Sequence, residues 1–137
     1  MFSSVFKFST RKATRQQRIR DCVDALNARR FEDARQLFAE HVLVCDGNAR
    51  EISGRNTLIG CEREMAQRFP DRKLVIETMH NHRETVLIRG RVESKYQEIA
   101  GPVLWQVEFD GAKISRIEVT CEERHITLPK FAATIAA

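Results

Sequence analysis

Residues 25–54 read ALNARRFEDARQLFAEHVLVCDGNAREISG, and a change of hydrophobic period inside this stretch decides the fold. Phe31, Ala34, Leu37 and Phe38 share one side of a helix, whereas Val42, Leu43, Val44 and Cys45 make a short β-rich run. Asp46-Gly47-Asn48 is turn chemistry that ends the run. Ser53-Gly54 then introduces another helical pattern. Helix, short helix, strand, turn and helix therefore follow one another within the first half of the chain.

Upstream, Ile19, Cys22, Val23 and Leu26 keep the i, i+3, i+4, i+7 spacing of one apolar stripe, with Arg18, Arg20, Asp21 and Asp24 facing away. Downstream, Leu58, Cys61, Met65 and Phe69 predict a third helix that Pro70-Asp71 terminates. The second half is strand-like over residues 73–80, 85–96, 103–109 and 113–121, joined by turns at 81–84 and at Asp110-Gly111. Val86, Ile88 and Val92 alternate with Arg89, Arg91 and Glu93, and Ile117 and Val119 alternate with Arg116 and Glu118. This pattern predicts an antiparallel sheet with one wet and one buried face. The expectation is an α+β, cone-shaped fold, with three N-terminal helices packed on a curved, mostly antiparallel sheet.

The chain has 137 residues, 42% hydrophobic and 31% charged, enough for one substantial core and incompatible with general disorder. No apolar run approaches the roughly 20 residues of a membrane helix. The net charge of +4 comes from Lys7, Arg11, Lys12, Arg15, Arg18 and Arg20, which have no acid among them, so the rest of the chain is slightly acidic. No interleaving of basic and aromatic residues continues into the body, which argues against a nucleic-acid partner. The organisation expected is a basic N-terminal tail (1–14), one domain (15–122) and a C-terminal tail (123–137).

The N-terminal tail fits either a mitochondrial transit peptide or a plain leader on a cytoplasmic protein. Ser and Lys interrupt Phe2, Val5, Phe6 and Phe8, which argues against a secretory signal. Cys22, Cys45, Cys61 and Cys121 stand without metal-ligand spacing and read as small apolar residues in a reducing compartment. The sequence thus implies no metal and no cofactor.

Asp46, at the end of a strand, is the candidate general base, since partial burial raises a carboxyl pKa toward working pH. The other reading is an Asx turn bonded to amides near Asn48. His80, placed by simple alternation on a face with Leu74, Ile76 and Thr78, is the second candidate catalytic residue. Cys22, Val44, Trp105, Val107, Ile117 and Val119 are the expected pocket lining. Tyr96 is expected at the strand rim, and His41 and His82 at the surface.

ALNA at 25–28, LFA at 37–39, the strand ending in Asp46 and SG at 53–54 resemble the nuclear-transport-factor-2-like superfamily, which includes the ketosteroid isomerases and SnoaL-like cyclases. FDGAKISRIEV at 109–119 is similar to that superfamily's final hairpin. By this resemblance Asp46 matches the isomerase base. Cys22 stands where the isomerase has its tyrosine, and Trp105 where it has its protonated aspartate. Ser115, Ile117, Val119 and Cys121 leave the last strand without the acid of the cyclases. The resemblance implies a homodimer, paired through the outer sheet face, that binds a hydrophobic small molecule in an apolar cone pocket. The alternative it carries is a cofactor-free isomerase, cyclase or dehydratase using Asp46 on a hydrophobic carbonyl compound.

Overall fold

The computed structural model describes the backbone of residues 2–135 and the side chains of residues 11–135. The side chains of Phe2, Val5, Phe6, Lys7 and Phe8, which belong to the basic tail, lie outside the described residues. Helix α1 (Phe2–Asn27) takes in most of the basic tail and is followed by α2 (Phe31–Leu37), strands β1 (Phe38–Asp46) and β2 (Glu51–Ser53), and α3 (Arg55–Arg68). Strands β3 (Lys73–His82), β4 (Thr85–Glu93), β5 (Gly101–Asp110) and β6 (Lys113–Thr120) come next, and α4 (Leu128–Ile135) ends the described chain. The fold is α+β with a six-stranded mixed sheet in the order β2-β1-β6-β5-β4-β3. β1 runs parallel to β6 and every other pairing is antiparallel. Four helices are present among the described residues, the third entering only after the β1–β2 hairpin.

Local chemistry sets the boundaries. The inward stripe of α1 is buried at Ile19, Cys22, Ala25 and Leu26. The helix ends where Arg29 turns left-handed at φ 62°, and Asn27 grips the edge strand at that point. Its amide donates to the Leu74 carbonyl (2.9 Å) and its oxygen accepts the Leu74 N–H (2.8 Å), so one side chain stands in for a neighbouring strand. Phe38, which helical spacing placed on α2, begins β1 instead. It is 2% exposed and pairs with Ile114 of β6, because burying a phenylalanine against the sheet outweighs a weak local helix preference.

Three irregularities decide which side chains face inward. In β3 the register shifts between Ile76 and Thr78, so Met79 pairs with Ile88 and His80 with Leu87. One extra residue inverts the alternation beyond it. The second lies in β6, where Glu108 and Phe109 of β5 pair with Arg116 and Ile114 and leave Ser115 as the extra residue, so Ile114 takes the core position, 2% exposed, in place of Ser115. The third lies in β1 between Phe38 and Leu43, opposite the same residues of β6. The outer face carries the expected charges, with Arg91 bridging Glu77 and Glu93 and Arg116 bridging Glu108.

The C-terminal segment folds onto the body. Leu128, Pro129 and Phe131 are buried on α4, and the Phe131 ring meets Phe69 edge-on at 6.3 Å. Phe69 in turn meets Tyr96 at 5.2 Å, which sits in the β4–β5 connection beyond the end of β4. Thr127 caps α4 by accepting the Lys130 N–H at 3.2 Å.

Candidate functional site

The inner sheet face, α1, α3 and residues 121–128 line a cavity of about 120 Å³. Cys22, Val44, Trp105, Val107, Ile117 and Val119 all line it. They come from four elements yet converge because β6 carries Ile117 opposite both Val44 and Val107, and Val119 opposite Trp105. Gly90 makes room for the indole. A β-carbon there would strike the Val75 carbonyl oxygen and lie 2.6 Å from Trp105 Cζ3, closer than real packing allows.

The wall is not wholly apolar. Glu62 and Arg72 also face the cavity and form a buried ion pair, Arg72 Nη1 donating to Glu62 Oε2 at 2.8 Å, with the side chains 9% and 7% exposed. The sequence did contain a signal for Glu62, since it lies four residues after Leu58 and three before Met65, inside the inward stripe of α3. Its partner was hidden in the turn after Pro70. His125 and Thr127, from a segment without hydrophobic period, close the cavity from the C-terminal side. His125 is 5% exposed, and its ring occupies the space that a β-carbon at Gly101 would need. Gly101, at φ 148°, is therefore fixed as glycine twice over, by backbone and by neighbour.

Asp46 is not among the residues lining this cavity; it lines a more polar crevice of about 220 Å³ with Gly47, Asn48, Arg50, Glu122 and Glu123. Val119, Cys121, His125 and Thr127 line both spaces. The Asp46 carboxylate accepts the N–H groups of Asn48 (2.9 Å) and Arg50 (3.3 Å), the Arg50 guanidinium (3.0 Å) and the Thr127 hydroxyl (3.0 Å). Burial alone pushes the carboxyl up, but the bonds from Asn48, Arg50 and Thr127 outweigh it and hold the pKa below the ordinary aspartate value. This is the geometry of the Asx turn, and it ties the β1–β2 turn to the C-terminal segment.

The sign of the linkage follows. The folded-state pKa is depressed, so the contribution is present above the unfolded value near 4 and is lost as pH falls through the lower folded value. Asp46→Asn is expected to destabilise the fold by about 1–3 kcal/mol at pH 7 and to flatten the acid limb of urea-melt stability below pH 4. An unchanged acid limb would remove Asp46 from the latch.

His80 does not reach the cavity. The β3 bulge that sends Met79 inward leaves His80 exposed on the outer face. Alternation counted across an unbulged strand had put it with Ile76, and the extra residue reverses that placement. His41 is also at the surface, 3.3 Å from Asp110, and His82 ends β3, exposed. The four cysteines are free. Burial, followed by the Glu62 charge, pushes the Cys22 thiol far up. Cys45, Cys61 and Cys121 are raised chiefly by burial, which opposes thiolate chemistry at all four. Among the described residues no group of three or more His, Cys, Asp or Glu side chains converges as a metal site.

The family model of the SnoaL-like domain matches residues 19–117. The chain belongs to the SnoaL-like domain family. Solved structures share this domain's fold at low identity. An NTF2-like protein from Cytophaga hutchinsonii is 13% identical with a TM-score of 0.68, the match covering 80% of this chain and 91% of that one. A SnoaL-like protein from Burkholderia thailandensis is 16% identical with a TM-score of 0.66, covering 79% and 94%. A protein with a ketosteroid isomerase-like fold from Catenulispora acidiphila, solved in complex with trimethylamine, is 14% identical with a TM-score of 0.68, covering 77% and 85%. No curated protein matches this SnoaL-like domain. No helix among its described residues is long and apolar enough to cross a membrane.

Proposed function

We propose that this SnoaL-like domain binds a hydrophobic small molecule in its apolar cone and performs no chemistry with Asp46. The observation carrying this reading is that Asp46 lines the polar crevice and not the apolar cavity. The cavity is lined mostly by aliphatic side chains, whereas the candidate base Asp46 is not among its lining residues and has its oxygens already engaged. A general base needs a free lone pair within reach of the substrate proton and a pKa near working pH. Asp46 has neither a raised pKa nor a place on the cavity wall.

The alternative reading, an isomerase, cyclase or dehydratase with Asp46 as base on a hydrophobic carbonyl substrate, requires the C-terminal segment to release Asp46 before it could act. Size also favours a small ligand. About 120 Å³ lies below the roughly 300 Å³ where pockets for drug-sized molecules begin and near the about 150 Å³ of an apolar cavity that accepts benzene.

Trp105, the single tryptophan, reports on this space directly. Titration with benzene, toluene and indane is expected to change its emission saturably in the native chain and equally in Asp46→Asn. No change with any of them, in a chain shown to be folded, would overturn the binding reading. Loss of a measurable turnover in Asp46→Asn would favour the enzyme.

The partner expected is a second copy of the chain. Leu87 (40% exposed) and Leu104 (50% exposed) stand on the outer sheet face among charged neighbours, an apolar centre with a polar rim. Sedimentation at micromolar concentration should give twice the chain mass, and Leu104→Lys should halve it. A native chain that sediments as a monomer would remove this role. The four free cysteines fit a reducing compartment, with the cytoplasm as the proposed location and the mitochondrion as the alternative from the basic N-terminal tail.

A further inference from the structure

We infer that the Glu62–Arg72 pair is the polar anchor of the cavity and selects a ligand with a neutral head that both donates and accepts a hydrogen bond, such as a phenol or a primary amide on a single ring. The inference rests on the binding reading above and names the ligand class for that site.

The pair is joined by one hydrogen bond, Arg72 Nη1 to Glu62 Oε2. Among the described residues, Glu62 Oε1 and Arg72 Nε and Nη2 have no protein partner. Nor are these atoms sealed, since the side-chain polar atoms buried without a partner are Arg15 Nε and Arg18 Nε. Both side chains are more than nine-tenths buried, and the space they share is the cavity.

A buried ion pair with spare valences on both members presents an acceptor and a forked donor side by side. A hydroxyl can donate to Glu62 Oε1 and accept from Arg72, satisfying both. A carboxylate would meet Glu62 as a like charge, and an ammonium would meet Arg72, so a charged head gains from one partner what it loses to the other. An unsubstituted hydrocarbon fits the apolar wall but leaves the spare atoms unbonded. The rest of the wall, with Leu58, Met65, Ile88 and Val103, takes the ring.

The test is isothermal titration of the full chain at pH 7 with benzene, phenol, benzamide, benzoate and benzylamine. Phenol and benzamide are expected to bind about tenfold or more tightly than benzene, the range of a hydrogen bond to a charged group, and benzoate and benzylamine more weakly than phenol. In the double variant Glu62→Leu/Arg72→Met benzene should still bind, and the advantage of phenol should fall to within about twofold. Because that variant could fail to fold, the native chain supplies a second readout. The Arg72 Nε–H resonance should shift with phenol and stay put with benzene. Equal affinity for benzene and phenol, a stationary Arg72 signal, or a preference surviving in the folded double variant would overturn the anchor while leaving the cavity reading intact. Failure of every compound, benzene included, would overturn the binding reading itself.

Discussion

Arg72→Ala is expected to destabilise the protein by about 3–5 kcal/mol, because it leaves the Glu62 carboxylate charged, buried and unpaired. Glu62 is held on α3 between Leu58 and Met65, with its side chain 7% exposed, so removal of Arg72 leaves its carboxylate in a buried setting. The expected remedy is to remove the charge rather than to restore it. Glu62→Leu with Arg72→Met should return most of the lost stability, since a buried ion pair replaced by packed apolar groups is often neutral or better. Urea unfolding of Arg72→Met, Glu62→Leu and the double variant closes a cycle that checks this, with Arg72→Ala measured beside it. If Arg72→Ala lies within about 1 kcal/mol of the native chain, the pair is solvated in solution, and its role as a desolvated anchor fails with it. The cation–π contacts of Arg15 over Phe109 and Arg63 over Phe31, at 5.4 and 5.0 Å, involve more exposed surface, and their loss should cost far less.

Gly90→Ala is expected to cost about 3 kcal/mol, at the upper end for overpacking, and to disturb Trp105 specifically. The methyl group would press on the Val75 carbonyl of the neighbouring strand and on the indole edge. The first is backbone held in the β3–β4 ladder, where Val75 pairs with Arg91 and Ile76 with Gly90, so strands would have to separate. The second can yield only by tilting the ring into the cavity. Thermal melting reads the first effect, and the Trp105 emission maximum together with benzene affinity reads the second. Gly60→Ala is the control, because a β-carbon there meets nothing within 4 Å and the position lies inside α3, where alanine is the better helix former. A Gly90→Ala protein as stable as the native chain would mean that the sheet relaxes at this point and that the tight strand approach is not required.

Both effects come from residues that carried little weight in the sequence. Cys22, Val44, Trp105, Val107, Ile117 and Val119 could be assigned to one wall because strand alternation and helical spacing are local properties, and each held over its own segment. His80 could not be placed this way. A bulge is set by the pairing of β3 with β4, and nothing between Ile76 and Thr78 announces an extra residue. Glu62 was legible as a charge inside an apolar stripe, but its partner was not, since Arg72 lies ten positions away across a turn. Asp46 was legible as a turn residue or as a strand-end carboxylate. What separated those readings was Thr127, 81 positions away, in a segment with no period to read.

The sequence by itself determined the α+β class, the succession from α1 to β1 and from α3 to β6, and the apolar character of the inner face, but neither the short strand β2 nor helix α4. Hydrophobic period, turn residues and helix stops are short-range signals that any neighbourhood of the chain preserves. Tertiary structure alone decided that β1 runs parallel to β6, that the C-terminal segment closes the cavity, and that the carboxylate in the cavity wall is Glu62 rather than Asp46. These outcomes depend on which distant groups meet in a low-dielectric interior. There a carboxylate stays charged only beside a donor or a cation, and that partner is supplied by the fold.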